Sequence, residues 1–215
     1  MFNLSVLVTD DFMNAVKEDT VWNLCFNKTV YKSLPARELW NQIMRANYEF
    51  AEPGVIFIDR INRLNPLNYC ETIHGTNPCG EQPLPPYGAC LLGSINLAKL
   101  IEKPFSEKAC INENELKILV NTAVRMLDNT IDISRFPLAA QQKEAQAKRR
   151  IGLGITGLAD ALIMSGVRYG SSQAVNLTEK WMQIIQRAAY FASIQLASEK
   201  GPFPLFDAEA YLNSG

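Results

Sequence analysis

Apolar residues recur along this chain in two rhythms, and the switches between them outline its elements. Asn3 to Val8 alternates towards an apolar strand, and Thr9-Asp10-Asp11 then offers N-cap candidates for a short helix through about Glu18. Pro35 suits a first helical position, and Leu39, Ile43, Met44, Tyr48 and Phe50 form a helical stripe that stops before Pro53-Gly54. Val55-Ile56-Phe57-Ile58 has the compact signature of a buried strand. This strand–helix–strand order predicts an α/β layer structure.

Residues 65–96 break both rhythms. Asn65-Pro66, Asn77-Pro78, Pro83, Pro85-Pro86 and Gly88 are turn formers, followed by an apolar run from Ala89 to Leu97. Prolines at 78, 83, 85 and 86 forbid a regular helix or a central strand. A long, stiff, irregular loop of this kind is usually retained for a job. Beyond it, Leu116, Leu119, Val120, Ala123, Val124 and Leu127 recur at helical steps. Ile151 to Thr156 reads as a strand or tight turn and Leu158 to Met164 as a helix. A long helix is predicted from about Ala174 to Lys200, stopped by Gly201-Pro202. Repeats and low-complexity linkers are absent.

Composition narrows the classes. The chain has 215 residues, 47% hydrophobic and 20% charged, with a formal net charge of -1. That balance gives no basic surplus for nucleic acid or an anionic membrane. The most apolar stretch, Ile151 to Gly166, is short for a membrane span and contains Asp160. No N-terminal stretch has a signal-peptide layout, so a cytoplasmic location is expected. Five cysteines (Cys25, Cys70, Cys79, Cys90 and Cys110), an odd count without Cys-x-x-Cys spacing, argue against a disulfide framework. With His74 as the single histidine, no metal site is expected. Cysteines in a reducing compartment are usually small buried hydrophobes, and any proposed for chemistry must outweigh that role.

One segment offers such chemistry. Asn77, Cys79 and Glu81 stand two residues apart, and in an extended segment such side chains point the same way. Pro78 stiffens the backbone before the cysteine, and Gly80 permits an unusual dihedral after it. An amide, a thiol and a carboxylate on one rigid face would make a reaction site. By spacing alone, a packed Cys79 beside a solvated Glu81 fits as well.

The wider context favours chemistry. Glu71-Thr72-Ile73, Thr76-Asn77-Pro78-Cys79-Gly80-Glu81-Gln82-Pro83-Leu84 and Pro85-Pro86-Tyr87-Gly88-Ala89-Cys90-Leu91-Leu92-Gly93-Ser94-Ile95-Asn96-Leu97 closely resemble the active-site segment of ribonucleotide reductases, in particular the adenosylcobalamin-dependent class II branch. Phe2-Asn3-Leu4-Ser5-Val6, Glu52-Pro53-Gly54-Val55-Ile56-Phe57, Leu127-Asp128-Asn129-Thr130-Ile131-Asp132 and Arg150-Ile151-Gly152-Leu153-Gly154 resemble the same family. The resemblance implies an α/β fold, part of a ten-stranded α/β barrel, with residues 1–215 as one partial catalytic domain and a finger loop at about 75–90. It implies that Cys79 carries a transient thiyl radical that removes the 3′ hydrogen of a ribonucleotide, a diphosphate by expectation. Glu81 would be the base on the 3′ hydroxyl and Asn77 would hold the sugar. Cys90 would be one of two cysteines that form a disulfide as the 2′ hydroxyl leaves as water. Cys25, Cys70 and Cys110 fall outside the motif and are expected to be structural.

Family members are several times longer, so the chain is expected to be a split product, truncation or excerpt. The second reducing cysteine, the effector sites, the phosphate-binding loop and the C-terminal cysteine pair have no counterpart here. The partners implied are the ribonucleotide, the remaining segments of the subunit and an external thiol reductant such as thioredoxin. Adenosylcobalamin is the cofactor implied, although no cobalamin-binding motif is visible. Three rivals remain. A non-catalytic, partner-binding piece of a split reductase would keep the fold without turnover. A nicotinamide-dependent oxidoreductase would use Gly152-Leu153-Gly154-Ile155-Thr156-Gly157, but Gln141 to Arg150 before it is polar and Leu177-Thr178-Glu179 falls inside a predicted helix. A cysteine hydrolase would need His74 to face Cys79.

Overall fold

The computed structural model describes residues 3–213; Met1, Phe2, Ser214 and Gly215, and with them the first residue of one matching stretch, lie outside the described residues. The chain divides into two compact units, Met1–Pro86 with Asp207–Gly215, and Tyr87–Phe206.

The first unit begins with β1 (Ser5–Val8) and α1 (Asp10–Glu18). Thr9 caps the helix as its sequence predicts, its hydroxyl accepting from the Phe12 N–H at 3.1 Å. A hairpin that the sequence reading passed over follows, β2 (Val21–Phe26) and β3 (Thr29–Pro35), with Asn27 and Lys28 at positive φ in its two-residue turn. Helix α2 (Ala36–Phe50) begins one residue later than expected, with Pro35 as its N-cap. Its stripe is narrower than predicted: Ile43 is buried, whereas Tyr48 and Phe50 are exposed. Strand β4 (Gly54–Phe57) pairs in parallel with β1, from Ser5↔Gly54 to Val8↔Phe57. Ile58, expected to end that strand, instead opens α3 (Ile58–Arg63) as its buried residue. Val8, Phe12, Ala15 and Ala36 form the core between these elements, and the Phe12 ring meets Trp22 edge-on at 5.2 Å. Two short strands, β5 (Gly75–Thr76) and β6 (Pro83–Leu84), close an antiparallel hairpin.

The second unit opens on β7 (Leu91–Asn96), within the apolar run expected to follow the loop. A 3-10 turn (Leu97–Leu100) and a small ribbon of β8 (Ile101–Glu102) and β9 (Cys110–Ile111) lead into α4 (Glu113–Ile133). Next come α5 (Ala139–Lys148), β10 (Ile151–Thr156), α6 (Leu158–Met164) and α7 (Ser172–Lys200). Strand β10 runs parallel to β7 in unbroken register from Ile151↔Leu91 to Thr156↔Asn96. The core gathers Leu97, Leu116, Val120, Leu162, Trp181 and Ile185. On α4, Leu116, Val120, Val124, Leu127 and Ile131 are the buried face, at three- and four-residue steps, while the predicted Leu119 is exposed. Arg125 and Glu199 join α4 to α7 through two 2.7 Å hydrogen bonds. The last helix, α8 (Ala208–Asn213), belongs to the first unit.

Each unit thus carries one parallel strand pair with helices in the connection, the crossover logic of an α/β fold.

Candidate active site

The Asn77–Gln82 segment is the turn of the β5–β6 hairpin. It is not the extended strand that its spacing suggested. The Gly80 N–H donates to the Asn77 carbonyl at 3.0 Å, and Gly80 has a φ of +83°, which is open to glycine and strained for other residues. Pro78, with its fixed φ, sits inside this turn. This proline-rich neighbourhood therefore yields a compact apex: the chain must reverse, and Gly80 is where it can.

Asn77 organises the apex. Its backbone N–H donates to the Gln82 carbonyl at 3.1 Å, and its Oδ1 accepts from the Gln82 N–H at 3.0 Å. Its Nδ2 donates to Glu81 Oε1. The expected convergence of Asn77 and Glu81 is therefore present, but it is produced by the turn. Cys79 lies between them on the exposed apex, its thiol open to a reaction partner. An open groove of about 600 Å³ beside it is lined by Asn3, Ser5, Gly54, Thr76, Pro78 and Cys79. This is a size suited to a ligand of small-molecule dimensions.

Cys90 belongs to the second unit, immediately before β7, half-buried, with its Sγ 3.8 Å from the Leu91 carbonyl. His74 is exposed at the foot of the hairpin, where its backbone N–H donates to the Leu84 carbonyl at 3.3 Å. Cys25, Cys70 and Cys110 are exposed, against the general expectation of burial. Among the described residues, no group of three or more His, Cys, Asp or Glu is placed to hold a metal ion, and no helix is long and apolar enough to cross a membrane.

Two asparagines given no role by the sequence reading touch the hairpin. Asn3 Nδ2 donates to the Pro78 carbonyl at 2.9 Å. Asn62 Oδ1 accepts from the Ile73 N–H at 2.8 Å, and its Nδ2 donates to the Ile73 carbonyl at 3.1 Å. Neither bond follows from periodicity, since both partners are far apart in sequence or lie in irregular chain.

A family model described as "Ribonucleotide reductase, barrel domain" matches residues 1–215. The chain belongs to the ribonucleotide reductase barrel-domain family. It is 42% identical over its whole length to a protein named vitamin B12-dependent ribonucleoside-diphosphate reductase from Mycobacterium tuberculosis, covering 30% of that relative. A protein of the same name from Thermoplasma acidophilum is 41% identical over the whole of this chain, covering 28% of that relative. A ribonucleoside-diphosphate reductase subunit alpha from Synechocystis is 34% identical over 86% of this chain and 23% of its own length. The chain thus spans only about 30% of the length of these two vitamin B12-dependent relatives. Ribonucleotide reductase membership also disposes of the dinucleotide fingerprint. The polar segment before Gly152 is α5, and Leu177-Thr178-Glu179 lies inside α7, as the sequence suggested. Gly157 serves instead as the N-cap of α6 at a φ of +69°.

Proposed function

We propose that this chain is a segment of the catalytic subunit of an adenosylcobalamin-dependent ribonucleoside-diphosphate reductase, and that both of its units form one partial barrel domain. The family match running unbroken through residues 1–215 supports the single-domain reading. The observation that carries the site assignment is the apex turn, in which Asn77 holds Glu81 and Cys79 stands exposed between them.

In this reading Cys79 is the sulfur that takes the 3′ hydrogen of the ribose as a thiyl radical. Glu81, already an acceptor toward an amide, receives the proton of the 3′ hydroxyl when the sugar replaces that amide. Asn77, released from the carboxylate, hydrogen-bonds the sugar and holds it in the reactive orientation. Cys90 and a second cysteine outside this chain each give one electron: two thiols become one disulfide as the 2′ hydroxyl leaves as water. An external thiol reductant, thioredoxin or similar, restores the thiols. Adenosylcobalamin, when bound, supplies the radical that Cys79 receives. The residues here meet that need at one point, the exposed Cys79 thiol, and none of them is assigned to hold the corrin. A cytoplasmic location fits the reducing conditions that such thiols require.

The test is ribonucleoside diphosphate reduction by the assembled subunit containing this chain, with and without adenosylcobalamin. Cys79→Ser abolishes turnover, and Cys90→Ser allows at most one abortive event. Sustained turnover in either variant overturns the assignment, and cobalamin-independent turnover overturns the cofactor.

A further inference from the structure

The β5–β6 hairpin is too small to hold its own apex still. It has two residues in each strand, and isolated hairpins are marginal even when longer. Precision must come from outside it. At the base, Asn62 pairs with both backbone groups of Ile73 in the manner of a neighbouring strand, and a third bond to the Ile58 carbonyl at 3.2 Å fixes the Asn62 side chain on α3. The base is thereby secured several residues away from Cys79. Within the turn, the bonds of Asn77 and Gly80 fix the apex to itself and not to the rest of the unit.

At the apex the outside contact is Asn3, which immediately precedes the Leu4 carbonyl that receives the Gly54 N–H at 2.8 Å and starts the β1–β4 pair. Its amide donates to the Pro78 carbonyl. That carbonyl and the Cys79 N–H share one planar peptide unit, so fixing the oxygen also fixes the plane from which the Cys79 side chain departs. Proline at 78 removes the alternative of reorienting that plane through a free φ.

We propose that Asn3 is a positioning residue for Cys79, acting through the Pro78 carbonyl to aim the thiol. This rests on the reading of Cys79 as the hydrogen-abstracting sulfur, but the clasp itself does not. A thiol that is misaimed by about 1 Å can lose on the order of a hundredfold in rate while substrate affinity is kept. The expectation is therefore a split between kcat and KM.

The experiment compares Asn3→Asp, which keeps the shape without the donor, Asn3→Leu, which removes the polarity, and Asn3→Gln, which retains a donor. All are made in the assembled reductase containing this chain. Asn3→Asp and Asn3→Leu are expected to lower kcat by about 10- to 100-fold with KM within about twofold; Asn3→Gln should recover part of the loss, with unchanged melting in all three. In parallel, amide hydrogen exchange at Gly80, whose N–H is held by the Asn77 carbonyl, should rise about tenfold in the two donor-less variants, a readout that needs no turnover. Unchanged exchange overturns the clasp. Raised exchange with kcat unaltered overturns the positioning role. Absence of reductase activity in the unmodified protein would instead strike the proposed function, and the exchange comparison would still decide the clasp.

Discussion

Gly157→Ala separates two effects that a glycine can conceal. Gly157 has a φ of +69°, and a Cβ built there would lie 2.5 Å from Asn96 Oδ1 and 3.3 Å from the Ala98 Cβ. The Asn96 oxygen is not idle: it accepts from the Ala98 N–H at 3.1 Å and caps the 3-10 turn that buries Leu97 and Leu100. An added methyl must displace it. The left-handed backbone costs a non-glycine residue about 1–2 kcal/mol, and loss of the cap costs about 1 kcal/mol more. The sum is about 2–3 kcal/mol, equivalent to a melting shift of roughly 4–12 °C in a chain of this size.

Gly166 supplies the control. It has the same φ of +69°, but nothing lies within 4 Å of a Cβ built there. Gly166→Ala therefore carries the backbone strain without the displaced cap. Urea unfolding of the two variants beside the parent chain should leave Gly157→Ala about 1 kcal/mol worse than Gly166→Ala. Equal losses would refute the role given to Asn96, and negligible losses in both would refute the backbone argument as well.

Two further expectations concern the second unit. Asp128 receives hydrogen bonds from Arg149 Nε and Lys200 Nζ, each at 2.8 Å, and Asp132 accepts from Arg149 at 2.7 Å. Burial works to raise the Asp128 pKa, but those two cations outweigh it and hold the carboxyl below its ordinary range; Asp132 is lowered first by the Arg149 bond. A lowered folded pKa stabilises above the unfolded value near about 4 and is lost as the pH falls through the folded one. Asp128→Asn should therefore cost about 2 kcal/mol at pH 7, with the deficit closing as the pH falls through the lowered folded pKa; a deficit independent of pH in urea titrations would contradict this. Leu116, fully buried, should cost about 2–5 kcal/mol as Leu116→Ala, whereas Ile118→Ala, 66% exposed on the same helix, should stay within about 0.5 kcal/mol. Comparable midpoint shifts in urea would show that the α4 face is wrongly assigned.

Elements that bury one stripe or obey a cap were legible beforehand. Thr9 and α1, α6 over Leu158–Met164, and the glycine that ends α7 all follow from local chemistry that needs no distant partner. The misses share a different cause. Exposure of Tyr48 and Phe50 depends on what the rest of the fold brings beside α2, which a stripe cannot state. The β2–β3 hairpin has an almost wholly exposed surface, so its residues show no alternation between core and solvent. Ile58 is apolar in either element; its burial was foreseeable, its helical backbone was not.

The apex shows the same limit at the site itself. Residue types in Asn77–Glu81 announced an amide, a thiol and a carboxylate, but a spacing of two fits an extended strand and a tight turn equally well. What decides between them is Gly80, whose positive φ turns the chain and lets its N–H meet the Asn77 carbonyl. Once the segment is a turn, alternation no longer aims the side chains, and hydrogen bonds must do so. The Asn77–Glu81 contact supplies one and the Asn3–Pro78 contact another, across 75 residues of sequence. The proposed site, carried on two-residue strands, thus owes its geometry to side-chain amides at its tip and base. The ladder bonds of two-residue strands are too few to provide that geometry.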